Sequence, residues 1–120
     1  MTIVLNKKVF ITGANRTPIG KFQGKLSKVK ATKLGSICIS SAIQKSNIKP
    51  ENVDYIIFGN MLTAGEGMTP ARQSAIESGI PNSSSALTIN KACASGIQSV
   101  ILAAQSIKVG DGSIIAAGGM

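Results

Sequence analysis

From Ala92 to Ile107 the chain carries no charged residue, and Ile97, Val100, Ile101, Leu102, Ala103, Ala104 and Ile107 spread over most of a helical circumference. A helix that is apolar on nearly every side is buried on several sides. It belongs in a layer between two sheets, or between a sheet and other helices. Small residues at Ala94, Ser95, Gly96, Ser99, Ala103 and Ala104 would let those neighbours approach closely. The pattern predicts this helix from about Cys93 to Lys108, stopped by Gly110, and it sets a demand that the rest of the chain must meet.

The other periodic segments meet it only in part. Val9 to Thr12, with Ile3 to Leu5 before it, reads as a first strand closed by Gly13. Residues 14–28 hold Pro18, Gly20 and Gly24 and read as a loop. From Val29 to Ser46, Leu34, Ile37, Cys38, Ser41 and Ala42 share one helical face, widened by Ile39 and Ile43. Cys38 lies within that face, where a free thiol packs as a small hydrophobe. VDYIIFG (53–59) reads as a second strand. A Gly-rich turn leads to Thr69-Pro70, a cap and first position suited to a helix start, and Gly79 ends that helix. Ala86 to Asn90 is a third short strand and Ser113 to Ala117 a fourth. The order βαβαβαβ, with short connections, predicts an α/β fold with a mainly parallel sheet. Four strands make one sheet, so the apolar helix is expected to need a partner or further chain.

Composition excludes several function classes. The chain has 120 residues with no Trp, one Tyr and three Phe, so the core rests on Ile, Val, Leu and Ala. The net charge is +8, and eight of the basic residues (Lys7, Lys8, Arg16, Lys21, Lys25, Lys28, Lys30 and Lys33) lie in the first 33 positions. A polyanion patch and a solvated lysine-rich face both fit this density. The absence of interleaved aromatics favours the solvated face and argues against nucleic acid. There is no His, and the two cysteines form no CxxC pair, so no metal site is expected. Neither a leader pattern nor a membrane-spanning run is evident, and a cytoplasmic chain is expected. Arg16, in the loop after the first strand, and Arg72, near the start of the second helix, read as structural hydrogen-bonders. GANRTPIG is not a GxGxxG fingerprint and lacks the acidic residue expected about 20 positions on.

Cys93 raises the question of chemistry. At a helix start a thiol faces free backbone N–H groups and the positive end of the helix dipole, which favour thiolate and can stabilise an oxyanion. Gly96, one turn on, removes a side chain that could obstruct a ligand. On its own such a cysteine is not specific, and packing is the commoner role.

Four stretches carry the reading further: ANRTPIGKFQGKL (14–26), GNMLTAGEGMTPARQSA (59–75), INKACASGIQSV (89–100) and IIAAGGM (114–120). In order and spacing they resemble the thiolase family, specifically the N-terminal part of acetyl-CoA acetyltransferases, over essentially all of residues 1–120. The most specific element is NxxCxSG at Asn90, Cys93, Ser95 and Gly96. The resemblance implies that Cys93 is the acyl-accepting nucleophile, with its backbone N–H in an oxyanion hole. It implies a fold of two similar halves with the helix after Cys93 between them. The substrate would be a coenzyme A thioester, with no further cofactor. The family's dimers pair the strand before the Cys with its copy, here Ala86 to Asn90, with the Gly59 to Gln73 segment near that interface.

The chain also departs from the family pattern. The second Cys, the His and the Asn that thiolases draw from a C-terminal half are missing, with the GHPxGxSG and CxGGG segments that carry them. The CoA-binding loop region is missing too. A positioned acid–base group contributes about 10²–10⁴-fold and an oxyanion donor about 10²–10³-fold. The expectation is therefore an acetyltransferase in a longer protein and an inactive 120-residue chain. The alternatives are a non-catalytic thiolase-like interaction protein and a small Rossmann-like nucleotide-binding module.

Overall fold

The structure, a computed structural model, describes residues 7–120. In chain order its elements are α1 (Ala31–Lys45), a single 3₁₀ turn (Pro50–Asn52), β1 (Tyr55–Gly59), α2 (Pro70–Glu77), β2 (Ser85–Ile89), α3 (Ser95–Val109) and β3 (Ile115–Gly119). The three strands form one parallel sheet in the order β2-β1-β3. Ile56 lies opposite Ala86 and Ala116, and Gly59 opposite Ile89 and Gly119. All three strands therefore end level at their carboxyl termini.

The pleat sends alternate β1 side chains to opposite faces. Ile56 and Phe58 pack with Ile39 and Ile43 of α1 and Ala71 and Ala75 of α2. Tyr55 and Ile57 face Leu102 and Ser106 of α3. The architecture is three layers: α1 and α2, the sheet, then α3. Fully burying an Ile side chain contributes roughly 1.5–3 kcal/mol, and Ile56 and Ile57 are both at 1% exposure or less.

The α1 face differs from the expectation. Its buried line is Thr32, Gly35, Ser36, Ile39 and Ile43, while Ile37 is 47% exposed and Cys38 is only half-buried. Small residues decide this. A Cβ on Gly35 would lie 2.8 Å from Ser74 Oγ, 3.1 Å from Met120 Sδ and 3.3 Å from Phe58 Cε1. The helix thus docks along its small-residue side, because closest approach there brings its flanking isoleucines onto the sheet.

Two further expectations are corrected. The 9–12 segment forms no strand, and residues 3–5 lie outside the described residues. The 9–12 segment has strand composition but no ladder partner among the described residues, and a strand exists only by pairing. Its continuation is tied to the far end of α1 instead: Thr12 Oγ1 lies 3.2 Å from Ser46 Oγ, and Asn15 Nδ2 donates to Ser41 Oγ at 2.5 Å. Second, Thr69 makes no side-chain cap. The hydroxyl of Thr88, on β2, accepts the Ala71 N–H at 3.0 Å, so the sheet caps the helix.

Asp54 fastens the other end of the sheet. Its Oδ2 accepts the N–H groups of Ser113 at 2.6 Å and Ile114 at 2.9 Å. These bonds, that from Ile114 foremost, hold the Asp54 carboxyl below its ordinary pKa. Gly110 closes α3 with φ at 85°, a left-handed turn that glycine adopts without penalty.

Candidate active site

β1 and β3 both end in glycine beside the first turn of α3. A Cβ on Gly59 would lie 2.6 Å from Ser95 Cβ, and one on Gly119 would lie 3.1 Å from Gly96 Cα. Only bare backbone lets the helix start sit this close to the sheet. Ser99 locks the contact from within. It is fully buried, and its Oγ lies 2.6 Å from the carbonyl oxygens of both Gly96 and Gly118.

The carboxyl end of the sheet and the start of α3 enclose an open hollow of about 380 Å³, with Cys93, Ala92, Met61 and Met120 on its walls and Gly59, Ser95, Gly96 and Gly119 beneath. Crevices outside the carboxyl ends of parallel strands are where open α/β sheets bind ligands. The Cys93 thiol is exposed. Gly96 leaves its part of the hollow open: the nearest atoms to an added Cβ are 3.9 Å away. A second hollow of about 470 Å³ opens between β2 and α3 at the other end of the sheet, lined by Tyr55, Leu87 and Leu102. It is larger but holds no thiol. Burial raises the Tyr55 phenol above its ordinary pKa, with the Asp111 carboxylate also pushing upward.

The helix begins at Ser95 with Ala94 as its cap residue, so Cys93 stands just ahead of the first turn rather than in it. The loop that presents it is stiffly held. Asn90 Oδ1 accepts the Ala92 N–H at 2.9 Å, and Asn90 Nδ2 donates to the Met61 carbonyl at 3.1 Å. Ser95 Oγ accepts the Lys91 N–H at 2.8 Å and donates to the Ala92 carbonyl at 2.6 Å. Ala92 has φ of 47°, a left-handed conformation costing a non-glycine residue about 1–2 kcal/mol. The sequence motif marked Asn90, Ser95 and Gly96. It gave no sign of Met61 or Met120, which arrive from other elements.

The remaining candidates sort by position. Arg72 donates to the Ser84 carbonyl, and to the Asn82 carbonyl at 3.0 Å; it fixes the loop before β2. Arg16 is exposed and, among the described residues, donates to the Thr17 carbonyl at 3.3 Å. The N-terminal lysines from Lys7 to Lys33 are all exposed. The 14–20 segment runs without regular structure into a series of turns before α1, so it does not form the strand–loop–helix that a Rossmann-like module needs. The stretch Ala92–Val109 does reach the length and apolarity of a membrane-crossing segment, contrary to the expectation of no such run. Its polar and glycine contacts seat it on the sheet instead.

The chain belongs to the thiolase family: residues 9–120 match the thiolase N-terminal domain. It is 49% identical over 114 residues to acetyl-CoA acetyltransferase 2 of Arabidopsis thaliana, covering 95% of this chain and 28% of that protein. It is 51% identical over 113 residues to the mitochondrial acetyl-CoA acetyltransferase of Danio rerio, covering 94% of this chain and 27% of that protein. The crystal structure of the Acat5 thiolase from Ascaris suum, in complex with coenzyme A, superposes with a TM-score of 0.92 at 42% identity. That match covers 94% of this chain and 30% of the other. The chain therefore spans less than a third of the length of these relatives.

Proposed function

We propose that this chain supplies the acyl-accepting thiol of an acetyl-CoA C-acetyltransferase. The observation that carries the reading is the exposed Cys93, in a hollow at the carboxyl end of a parallel sheet and just ahead of the α3 N-terminus. Cys93 Sγ attacks the acetyl carbonyl carbon of acetyl-CoA. The carbon–sulfur bond to coenzyme A breaks, and the thiol proton leaves with coenzyme A. The α-carbon of a second acetyl-CoA then gives up a proton and attacks the acyl carbon; the bond from that carbon to Cys93 Sγ breaks, the proton ends on the freed thiol, and acetoacetyl-CoA forms, with thiolysis the same steps in reverse. The Cys93 N–H, which has no acceptor among the described residues, serves the oxyanion of the first step. Coenzyme A thioesters are substrates here, and no resident cofactor or metal takes part. The coenzyme A in the Ascaris structure supports that substrate class.

The 120-residue chain contains no histidine, and on its own it is expected to show no thiolase turnover. The whole activity requires the further groups that thiolases hold in their C-terminal half. A homo-oligomer is proposed through the outer edge of β2, which has no strand beside it among the described residues, with the 59–73 segment nearby. A cytoplasmic location is likewise a proposal; curated relatives include one named as cytosolic and one as mitochondrial. Incubating the full-length protein with isotopically labelled acetyl-CoA and mapping the peptides tests the reading. Label confined to Cys93 is expected, and an unlabelled Cys93 would falsify it.

A further inference from the structure

Ala92, the residue just before the thiol, is held on both sides, through the N–H of the 91–92 peptide and the carbonyl of the 92–93 peptide. The Ala92 N–H is taken by the Asn90 side chain at 2.9 Å. The Ala92 carbonyl is taken twice by Ser95, by its Oγ at 2.6 Å and by its N–H at 3.1 Å. The chain has no cis peptide bond among the described residues. In a trans peptide the carbonyl of one residue and the N–H of the next point in opposite directions. With the Ala92 carbonyl held inward to Ser95, the Cys93 N–H must point out of the turn. Ala92 sits at φ of 47°, where a side chain is strained, so the loop holds this orientation only because its surroundings over-determine it. Asn90 adds a second tie. Its Nδ2 reaches the Met61 carbonyl, and Met61 stands on a wall of the hollow that Cys93 also lines.

We propose that Asn90 and Ser95 are positioning residues that together aim the Cys93 N–H into the hollow, where it meets the carbonyl oxygen of the acyl thioester. The proposal rests on the reading of Cys93 as the acyl acceptor. Loss of either grip lets Ala92 relax out of its left-handed conformation, and the 92–93 peptide rotates. The thiol stays in place and keeps its reactivity, while the oxyanion donor turns away. This separates a positioning role from a structural one, which would degrade every reaction of the thiol alike.

The test measures two rates at Cys93 in the full-length protein by peptide mass mapping: acetylation by acetyl-CoA, and alkylation by iodoacetamide. Acetylation builds negative charge on a carbonyl oxygen; displacement of iodide builds none there. Ser95→Ala is expected to slow acetylation about 10- to 100-fold while alkylation stays within about twofold, and Ser95→Thr, which keeps the hydroxyl, restores acetylation. Asn90→Ala follows the same split, and Asn90→Ser, which keeps an acceptor for the Ala92 N–H, falls between it and wild type. Should Ser95→Ala fail to fold, the two Asn90 variants carry the same comparison. Equal slowing of both reactions, or acetylation at the wild-type rate in folded variants, overturns the positioning role. Wild-type protein that alkylates at Cys93 but never acetylates there overturns instead the reading on which it rests.

Discussion

The two faces of the sheet are finished to different degrees. On one, α1 and α2 close over Ile56 and Phe58, and the core residues Ile39, Ala71 and Ala75 are at 2% exposure or less. On the other, α3 buries only Ser95, Ser99 and Ala103, while Ile97 is 62% and Ile101 44% exposed. The closed face is packed mainly by large aliphatic side chains; on the open one Ile57 is buried, but the start of α3 meets the sheet through glycine and serine. The first arrangement maximises apolar burial. The second brings a helix start to the sheet's carboxyl edge and sets a thiol beside it. The difference separates the part of the molecule that supplies stability from the part that presents chemistry.

The largest expected effect is chemical and confined to the open face. Cys93→Ala in the full-length protein should reduce acetyl transfer on the order of 10⁴-fold or more, while thermal unfolding stays within about 2 °C because an exposed side chain is lost. A large fall in melting temperature would show that the thiol is a packing residue after all. Next comes the closed face. Phe58→Ala should cost about 3–5 kcal/mol in denaturant unfolding, against less than about 1 kcal/mol for the half-exposed Ile101→Ala in this chain. Comparable costs would erase the contrast between the faces. A cost for Ile101→Ala that rises in the full-length protein would show that further chain covers α3.

Gly59→Ala tests the seam between them. Its Cβ would meet Ser95 atoms at 2.6 Å, and overpacking of this kind costs about 1–3 kcal/mol. Because the displaced helix start adjoins the loop that presents Cys93, acetylation should slow in the same variant. A smaller effect is expected with pH. The folded-state pKa of Asp54 is lowered, so its contribution is present above the unfolded value near 3.8 and lost as pH falls through the lower folded one. Asp54→Asn should flatten the acid limb of the stability profile below about pH 4, measured as unfolding midpoints between neutral and acid pH. Smallest of all is the Lys33–Glu77 pair at 2.8 Å, with both side chains more than a third exposed. Glu77→Gln should change stability by less than about 0.5 kcal/mol.

Much of this molecule could be read without coordinates. The α2 start at Pro70, the α3 stop at Gly110 and the strand at 55–59 are set by local chemistry: a missing N–H, a positive φ, a run of aliphatic residues. The NxxCxSG motif located the thiol for the same reason, since its residues are neighbours in the chain. Reading failed where partners lie far off in sequence. Helical periodicity on α1 placed Leu34 and Ile37 inward, but periodicity ranks residues by apolarity and does not register that Gly35 permits the closest approach. Thr69 looked like a cap because its type is right, and the bond came from Thr88 instead.

The sequence by itself determined the three helices, the strands at 55–59, 85–89 and 115–119 to within two residues at their starts and ends, that the sheet is parallel, and that Cys93 stands at the entry to an apolar helix. These follow from side-chain spacing and from backbone restrictions that act within a few residues. Tertiary structure alone decided which side of α1 docks, that the 9–12 segment has no ladder partner among the described residues, and that Met61 and Met120 wall the hollow. It also fixed the direction of the peptide before the thiol, through Asn90 and its bond to the Met61 carbonyl. Each of these depends on a contact between residues distant in the chain, whose geometry exists only once the layers have packed.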